Sequence, residues 1–286
     1  MFATFVVPAP QGCNLNCPYC AVALRNEAKN ILLTDTQYLD FLDAAIAYGD
    51  LKKVAIVGYE PTLDEAVDLS IEMLEKARAA GIKTSMNTNG LNLPKHIVRF
   101  AAVVDTVMIS LDSHEASRND KLRGMLGTFE GTTAGIRSAI AEMGAERVIV
   151  NTLLVPKHAN YIEGLPEVLL ELGVETWVIS PYIEFDCGHL KPDIDFIHSV
   201  VLKLAKKAAK YGVEARYADE FRLIGPIDGV PIYNFQRPGE PEELVFRLSP
   251  NGSCSVGEEI LTDSSVAQVW DGRQNPTDFL RALSRV

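Results

Sequence analysis

The feature that most limits the possible folds is a regular alternation of short β-rich runs with longer helical patterns between residues 2 and 211. The β-rich runs are rich in Val, Ile and Thr and mostly apolar on both faces, which is typical of a parallel sheet covered by helices. The six predicted strands are 2–8, 53–60, 83–89, 106–112, 148–155 and 176–182. The predicted helices are 34–48, 64–80, 94–101, 129–143, 162–172 and 193–211. Four of these helices are followed directly or closely by a glycine that suits a C-terminal cap.

The character of the chain changes after Gly212. A short strand is predicted at 213–217, and the following segment 225–243 is rich in Gly and Pro. A hairpin-like run at 245–249, a Pro-Asn-Gly turn and a closing helix after Pro276 complete the chain. We therefore predict two domains, 1–212 with the βα units and 213–286 as a small α+β extension.

Composition and charge exclude several classes of protein. With 47% hydrophobic and 23% charged residues, the sequence is that of a folded soluble protein. The net charge of -11 disfavours binding to nucleic acid or to a membrane surface and suits a small-molecule substrate better. No apolar run approaches the roughly 18 residues of a membrane span, and the first residues lack the basic start of a secretory signal. A cytoplasmic protein is expected.

Three of the five cysteines, Cys13, Cys17 and Cys20, lie within eight residues, directly after the first predicted strand. This is no disulfide framework, because the count is odd and the spacing is too tight. In βα barrels the loops after the strands form the catalytic face. Thiolates at i, i+4 and i+7 suit an iron–sulfur cluster that keeps one iron open. A structural zinc site is the alternative, but it wants a fourth Cys or His, and the nearest histidine is the distant His96.

The CxxxCxxC spacing, with Tyr19 before the last cysteine, resembles the cluster motif of the radical S-adenosylmethionine (SAM) superfamily. The resemblance implies a partial, open, TIM-barrel-like (β/α)6 fold and a 4Fe-4S cluster held by Cys13, Cys17 and Cys20. In that family SAM chelates the open iron, and an electron from the cluster releases a 5′-deoxyadenosyl radical that abstracts a substrate hydrogen. An external electron donor such as flavodoxin or ferredoxin is implied as a partner.

Several strand ends resemble the SAM-binding segments of the family. The run Gly58-Tyr59-Glu60-Pro61-Thr62-Leu63 looks like the GGEPTL segment that contacts the methionyl amine, with Tyr59 in place of the second glycine. Asn87-Thr88-Asn89-Gly90 is similar to the TNG turn, although an Asn-Gly pair forms turns without any function. The residues that the resemblance implies for cofactor binding are Tyr19, Gly58, Tyr59, Glu60, Asn89, Ser110, Arg123 and Asn151.

The last three of these residues have distinct implied roles. Ser110 would lie near the ribose and the substrate, and Arg123, in a segment similar to the RG…F motif of the family, would meet the SAM carboxylate. A surface salt bridge is the alternative for Arg123. Asn151 is a polar residue within an apolar strand, where a buried amide needs a partner. The resemblance supplies that partner as SAM.

The C-terminal runs 248–254 and 264–270 resemble a twitch or SPASM extension, which holds auxiliary iron–sulfur clusters. Only Cys187 and Cys254 remain to serve such a site, so we predict a degenerate extension and a single cluster. Cys187 belongs to a loop that also contains Glu184, Asp186 and His189. This loop is interpreted either as a wall facing the substrate or as a solvated acidic loop.

We therefore expect a radical SAM enzyme, in the range of epimerases, mutases and oxidoreductases, that abstracts a hydrogen from a small polar metabolite. Without an auxiliary cluster to accept an electron, a redox-neutral outcome such as epimerisation or rearrangement is favoured. Cys187, and after it Cys254, are candidate catalytic hydrogen donors, against the alternative that they are small buried hydrophobes. Other hypotheses are a peptide-modifying radical SAM enzyme and a non-enzymatic iron–sulfur or zinc-binding protein.

Overall fold

A computed structural model describes residues 2–7, 12–20, 33–49, 51–181, 194–217, 233–234, 245–257 and 266–283. Its central feature is one sheet with α-helices in the connections between the strands. The strands are β1 (Phe2–Val7), β2 (Lys53–Gly58), β3 (Lys83–Thr88), β4 (Thr106–Ser110), β5 (Val148–Leu154), β6 (Thr176–Pro181), β7 (Glu214–Tyr217), β8 (Tyr233–Asn234), β9 (Val245–Leu248), β10 (Ser253–Gly257) and β11 (Val266–Val269).

The strands from β1 to β8 lie side by side in chain order, and every neighbouring pair among them is parallel. This confirms the predicted α/β class and the parallel sheet of a partial (β/α)6 barrel. Strand β9 extends the sheet beyond β1, again in parallel, and β10 and β11 follow in antiparallel. Because all the parallel strands run the same way, their carboxyl ends meet at one edge of the sheet.

The helices fall close to the predicted segments. They are α1 (Asp35–Tyr48), α2 (Val67–Ala79), α3 (Leu93–Val103), α4 (Ala116–Arg123), α5 (Thr128–Met143), α6 (Leu165–Leu172), α7 (Ile194–Lys210) and α8 (Pro276–Leu283). The first of them begins with a capping box, in which Thr34 and Gln37 exchange hydrogen bonds between side chain and backbone. Helix α4 is absent from the predicted segments. Among the described residues, no helix has the length and hydropathy needed to cross a membrane.

The core is built from apolar side chains aligned across the strands. One register row crosses β1 to β5 and consists of Phe5, Ile56, Met86, Val107 and Val148, each of them buried. Burying such a side chain contributes about 1.5–3 kcal/mol. The fully buried Trp177 of β6 also donates its indole N–H to Thr152 Oγ1, at 2.9 Å. Packing of these side chains against one another holds the strands in register.

The described residues after 212 extend the sheet of the βα units at both of its edges. Strand β7 pairs with β6, and β9 pairs with β1. The aromatic rings of Trp270 and Phe279 lie 4.9 and 6.3 Å from the ring of Phe41 on α1. Gln37 of the same helix donates to the carbonyl of Gly272 at 3.2 Å. The sheet therefore continues past residue 212, while the division into 1–212 and 213–286 and the twitch or SPASM character of the second part stay predictions.

Candidate active site

The cysteine loop (residues 12–20) contains Cys13, Cys17 and Cys20, all three half-buried. Two of the sulfur atoms have nitrogen donors close by. Cys13 Sγ lies 3.4 Å from the backbone N–H of Leu15 and 3.8 Å from Asn89 Nδ2, and Cys17 Sγ lies 3.9 Å from Arg123 Nη1. Burial raises the pKa of Cys13 to about 11 and shifts the pKa of Cys17 in the same direction. Nitrogen donors of this kind stabilise thiolate sulfur once iron replaces the proton.

The donor set fits a cluster better than a single metal ion. The loop supplies three thiols, which is the donor type and number that a 4Fe-4S cluster with one open iron takes. A structural zinc ion takes four Cys or His ligands.

Glu60 is buried between the ends of β2 and β3, with 1% of its surface exposed. Its Oε1 accepts hydrogen bonds from the backbone and the hydroxyl of Thr62, at 3.1 and 2.5 Å, and from the hydroxyl of Thr88, at 2.6 Å. Its Oε2 accepts from the backbone N–H of Asn89 at 2.7 Å. Burial raises the pKa of Glu60, and these four bonds oppose that rise. In this structure the carboxylate serves the chain itself, and its predicted contact with the SAM ammonium stays a prediction.

Asn89 connects Glu60 to the cysteine loop, because its backbone binds Glu60 and its side chain binds the loop. Its Nδ2 donates to Asn14 Oδ1 at 2.7 Å, and its Oδ1 accepts from the backbone N–H of Leu91 at 2.9 Å. The hydrogen bond to Asn14 joins the end of β3 to the first half of the loop. The turn predicted from Asn-Gly is therefore also a contact point beside Cys13.

Asp112 forms a second buried centre, just beyond the end of β4. Its Oδ2 accepts from the hydroxyl of Tyr19 at 2.8 Å and lies 2.9 Å from Arg123 Nε, and its Oδ1 accepts from the backbone N–H of Leu153 at 2.8 Å. The contact with Arg123 is an ion pair rather than an aligned hydrogen bond. The exposed fractions of the two side chains are 3% for Asp112 and 11% for Arg123. The surface salt bridge considered for Arg123 is therefore wrong, because its partner is buried.

The charges around this pair act on each other. Burial opposes the charged form of Arg123, but the negative charge of Asp112, together with the smaller contributions of Tyr19 and Cys17, outweighs it, and the pKa of the guanidinium is raised. Burial, and after it the negative charge of Asp112, raise the pKa of Tyr19. Arg123 therefore stays a cation beside Cys17, and Tyr19 stays a neutral hydrogen-bond donor.

The remaining predicted cofactor residues lie at the same edge of the sheet. Ser110 and Asn151 are register neighbours on β4 and β5, and Asn151 Oδ1 accepts from the hydroxyl of Ser180 on β6 at 2.6 Å. Gly58, at the end of β2, has a φ of 109°, a conformation that disfavours other residues. Tyr59 lies beside the start of the cysteine loop, since a Cβ placed on Gly12 would be 4.0 Å from its ring.

Of the two cysteines outside the loop, Cys254 lies among the described residues and Cys187 does not. Cys254 lies on β10 between Leu248 and Gln268 of the neighbouring strands, and it is fully buried. Burial raises its pKa to about 12. The structure therefore favours the buried hydrophobe as its role, while its role as a hydrogen donor stays a prediction. Cys187, with Glu184, Asp186 and His189, lies outside the described residues.

Gly124 is the point where helix α4 ends against the cysteine loop. It has a φ of +72°, and a Cβ there would lie 2.3 Å from the backbone oxygen of Asn16. The backbone N–H of Asn16 in turn donates to the carbonyl of Arg123 at 3.3 Å. The close approach of the two backbones requires a residue without a side chain.

Replacing Gly124 by Ala is therefore expected to push the cysteine loop away from α4. It is also expected to lower the free energy of unfolding by about 1–3 kcal/mol, the cost of a strained left-handed residue. Gly127→Ala is the matched control, because it also has positive φ, at +79°, but no atom within 4 Å of an added Cβ. Iron bound per chain after anaerobic reconstitution is the measurement. We expect a loss for Gly124→Ala and parent content for Gly127→Ala, and equal iron in both would contradict the contact.

The fold and the site together define a class of protein: a parallel βα protein with a three-cysteine loop at the carboxyl edge of its sheet and polar side chains around it. The chain belongs to the radical SAM superfamily, whose family model, described as "Radical SAM superfamily", matches residues 7–163. Its cofactors are accordingly a 4Fe-4S cluster and SAM.

Comparison with curated proteins gives relatives of several activities. The chain is 27% identical over 284 residues to a "Probable GTP 3',8-cyclase" of Methanococcus aeolicus, covering 96% of this chain and 91% of that protein. It is 32% identical over 175 residues to an "S-adenosylmethionine-dependent nucleotide dehydratase" of Flammeovirga pacifica, with 58% of each chain covered. An "AdoMet-dependent heme synthase" of Methanosarcina barkeri is 32% identical over 165 residues, which is 57% of this chain and 45% of that protein.

Solved structures agree on the fold. SuiB of Streptococcus suis bound to S-adenosylmethionine superposes with a TM-score of 0.70 at 17% identity, covering 97% of this chain and 65% of SuiB. The chain thus spans just under two thirds of that protein's length. The anSMEcpe protein with bound AdoMet gives a TM-score of 0.66 at 15% identity, with 96% and 78% covered. At this level of identity the likeness concerns the fold alone.

Proposed function

We propose that this chain cleaves SAM reductively at a 4Fe-4S cluster held by Cys13, Cys17 and Cys20 and abstracts a hydrogen from a small polar metabolite. The observation that carries the proposal is the attachment of the cysteine loop to two strand ends. Asn89 binds its first half at Asn14, and Asp112 binds its second half at Tyr19. The loop is thus held over the carboxyl edge of the sheet, where enzymes with parallel βα units place their chemistry.

The chain's own residues would bind and orient the cofactors there. When bound, the cluster supplies the electron that cleaves the SAM sulfonium, and the resulting 5′-deoxyadenosyl radical removes the substrate hydrogen. Arg123 offers a buried, permanently charged guanidinium to a carboxylate. Asn151 and Ser110 offer polar groups on adjacent strands, and Glu60 and Asn89 shape the surface between them. A one-electron protein such as flavodoxin or ferredoxin is proposed as the reductant.

A nucleotide is the first substrate class to test, and a redox-neutral outcome is proposed. The support comes from the relatives' names, which include a GTP cyclase that aligns over 96% of this chain and a nucleotide dehydratase. Ring closure and loss of water within one molecule both leave its overall oxidation level unchanged. Such outcomes suit a chain with only two cysteines outside its cluster loop.

Anaerobic reconstitution with iron and sulfide tests the function. We expect an absorption band at about 400 nm, which is typical of iron–sulfide–thiolate ligation. We also expect 5′-deoxyadenosine to form when the protein is reduced in the presence of SAM. A panel of nucleotides deuterated in the ribose is then added, and deuterium in the 5′-deoxyadenosine identifies the substrate that is attacked. A loaded cluster that yields no 5′-deoxyadenosine would contradict the enzyme. A deuterated peptide is assayed in parallel, and label transfer from it and from no nucleotide would favour the peptide-modifying alternative.

The hydrogen donor is tested once a substrate is known. Cys187→Ala is expected to form 5′-deoxyadenosine at the parent rate but to lose the normal product, because an unquenched substrate radical takes other routes. Cys254→Ala is the second candidate, and its burial in β10 makes a smaller effect the expected one. Product and 5′-deoxyadenosine are measured separately by mass spectrometry. Unchanged product yield in both variants would contradict a cysteine donor.

A further inference from the structure

The pair of Asp112 and Arg123 is difficult to explain by stability alone. Both side chains are almost completely removed from water, at 3% and 11% exposure. Taking two charges out of water costs several kcal/mol per ion, and their attraction often only balances that cost. An apolar pair of similar size would serve the core equally well. The arrangement therefore points to a task that needs the charges in fixed places.

The contacts of Asp112 show what is fixed. Its two oxygens reach three structural elements: the cysteine loop through Tyr19, helix α4 through Arg123 and strand β5 through the backbone of Leu153. Its own backbone N–H donates to the side chain of Asn119 at 3.1 Å. No freedom of rotation is left to a carboxylate with partners on both oxygens in three directions.

Arg123 links Asp112 to the cysteine loop, because its guanidinium contacts both Asp112 and Cys17. With Nε held against Asp112, its Nη1 lies 3.9 Å from Cys17 Sγ. The carbonyl of Arg123 lies 3.6 Å from the same sulfur and accepts from Asn16 N–H. The guanidinium and the backbone of one residue thus both face Cys17, and Asp112 sets the direction of the guanidinium.

We propose that Asp112 is a positioning residue for the iron–sulfur cluster, which holds the Arg123 guanidinium against the Cys17 ligand and the Tyr19 ring within the loop. This rests on the proposed function, since it concerns the cluster that the loop would carry. Partners of this kind behind metal ligands change metal affinity by about 10–100-fold when they are removed. Asp112 does not touch the reacting atoms and acts through Arg123 and Tyr19.

Asp112→Asn in the reconstituted holoenzyme tests the proposal. The measurement is the rate at which oxidised, anaerobic protein releases iron to excess chelator, and we expect release about 10-fold faster than from the parent. Asp120→Asn is the matched control. Asp120 is a buried aspartate like Asp112, but it lies on α4 and accepts from the backbone of Gly127 and Phe129 around the start of α5, at 2.7 and 2.8 Å. We expect it to lower the melting temperature and to release iron at the parent rate.

The route through Arg123 is tested by combining substitutions. In an Arg123→Met background, Asp112→Asn is expected to accelerate iron release less than in the parent, since Arg123, one of the two groups that it positions, is gone and only the contact with Tyr19 is left to lose. Equal acceleration in both backgrounds, or equal iron release from Asp112→Asn and Asp120→Asn, would overturn the inference while leaving the proposed function intact. A parent protein that assembles no cluster would overturn both.

A milder variant covers the case in which Asp112→Asn does not fold. Tyr19→Phe removes one hydrogen bond to Asp112 and keeps the buried charge pair. It is expected to release iron several-fold faster than the parent and to alter the visible circular dichroism of the cluster. Parent behaviour in both measurements would overturn the inference.

Discussion

Replacing Cys17 by Ala is expected to reduce bound iron from about four atoms per chain, the content of one cluster, to background. Formation of 5′-deoxyadenosine is expected to stop as well. Three thiolates are the fewest that hold such a cluster and leave one iron open to SAM, so no ligand can be spared. The fold should persist, because Cys17 lies in a loop outside the sheet and its Sγ makes long contacts with Arg123 within the described part of the chain, at 3.6 and 3.9 Å. Iron analysis measures the loss of the cluster, and far-ultraviolet circular dichroism of the same sample measures whether the fold persists.

Cys254→Ala is the matched control for iron content. Cys254 is a free cysteine like Cys17, but it is fully buried on β10. We expect it to bind the parent amount of iron, at a modest cost in stability from the small cavity. Parent iron in Cys17→Ala would contradict the ligand assignment. About eight irons in the parent would contradict the single cluster and would mean that ligands other than cysteine complete an auxiliary site.

The positions of the strands were predictable from their β-rich runs, but the residues at which they end were not. The predicted strands at 53–60, 83–89 and 106–112 run one or two residues past the ladders, which end at Gly58, Thr88 and Ser110. The surplus residues include Glu60, Asn89 and Asp112, whose hydrogen bonds go sideways to neighbouring loops rather than along the sheet. A pattern of apolar residues marks the strand, but it cannot show where the ladder gives way to the site.

Helix α4 shows where pattern reading fails for a physical reason. Its sequence, ASRNDKLR, has no apolar stripe, and apart from Leu122 its buried residues are the polar Asn119, Asp120 and Arg123. Their partners are Asp112, just beyond the end of β4, the backbone at the start of α5 and, for Arg123, also Cys17 of the cysteine loop. A search for amphipathic periodicity does not detect a helix that is held by polar contacts of this kind, because it reads only the apolar stripe. For the same reason Asp112 was not among the predicted site residues, although its burial at a strand end marks it once the structure is known.

The cysteine motif and the resemblance to the radical SAM family were sufficient to identify Cys13, Cys17, Cys20 and Arg123 as candidates. They could not show that Glu60 already accepts four hydrogen bonds from the chain or that Arg123 has a buried partner. A motif states which residue types occur together. Only the packing shows which of their hydrogen-bonding groups are already used.

Arg123→Ala is expected to weaken SAM binding by about 1.5–3 kcal/mol, the range for a sheltered charge-assisted hydrogen bond. In dissociation constants this is a factor of roughly 10 to 150. The guanidinium is suited to the contact because it is buried, stays charged and is prevented from turning by Asp112. Titration of SAM against the reconstituted cluster, followed by the change in its EPR signal, gives the constant.

The same substitution also leaves Asp112 buried without its cation, which is expected to destabilise the fold by about 3–5 kcal/mol. Arg123→Lys separates the two effects, since it keeps a positive charge near Asp112 but loses the planar fork that binds a carboxylate through two hydrogen bonds. Arg118→Ala is the control on the same helix, where the arginine pairs with Glu115 at 2.9 Å and covers the ring of Tyr161. It should leave SAM affinity unchanged. If Arg123→Lys bound SAM as tightly as the parent and was equally stable, charge alone would explain Arg123, and its predicted fork-like contact with the SAM carboxylate would be wrong.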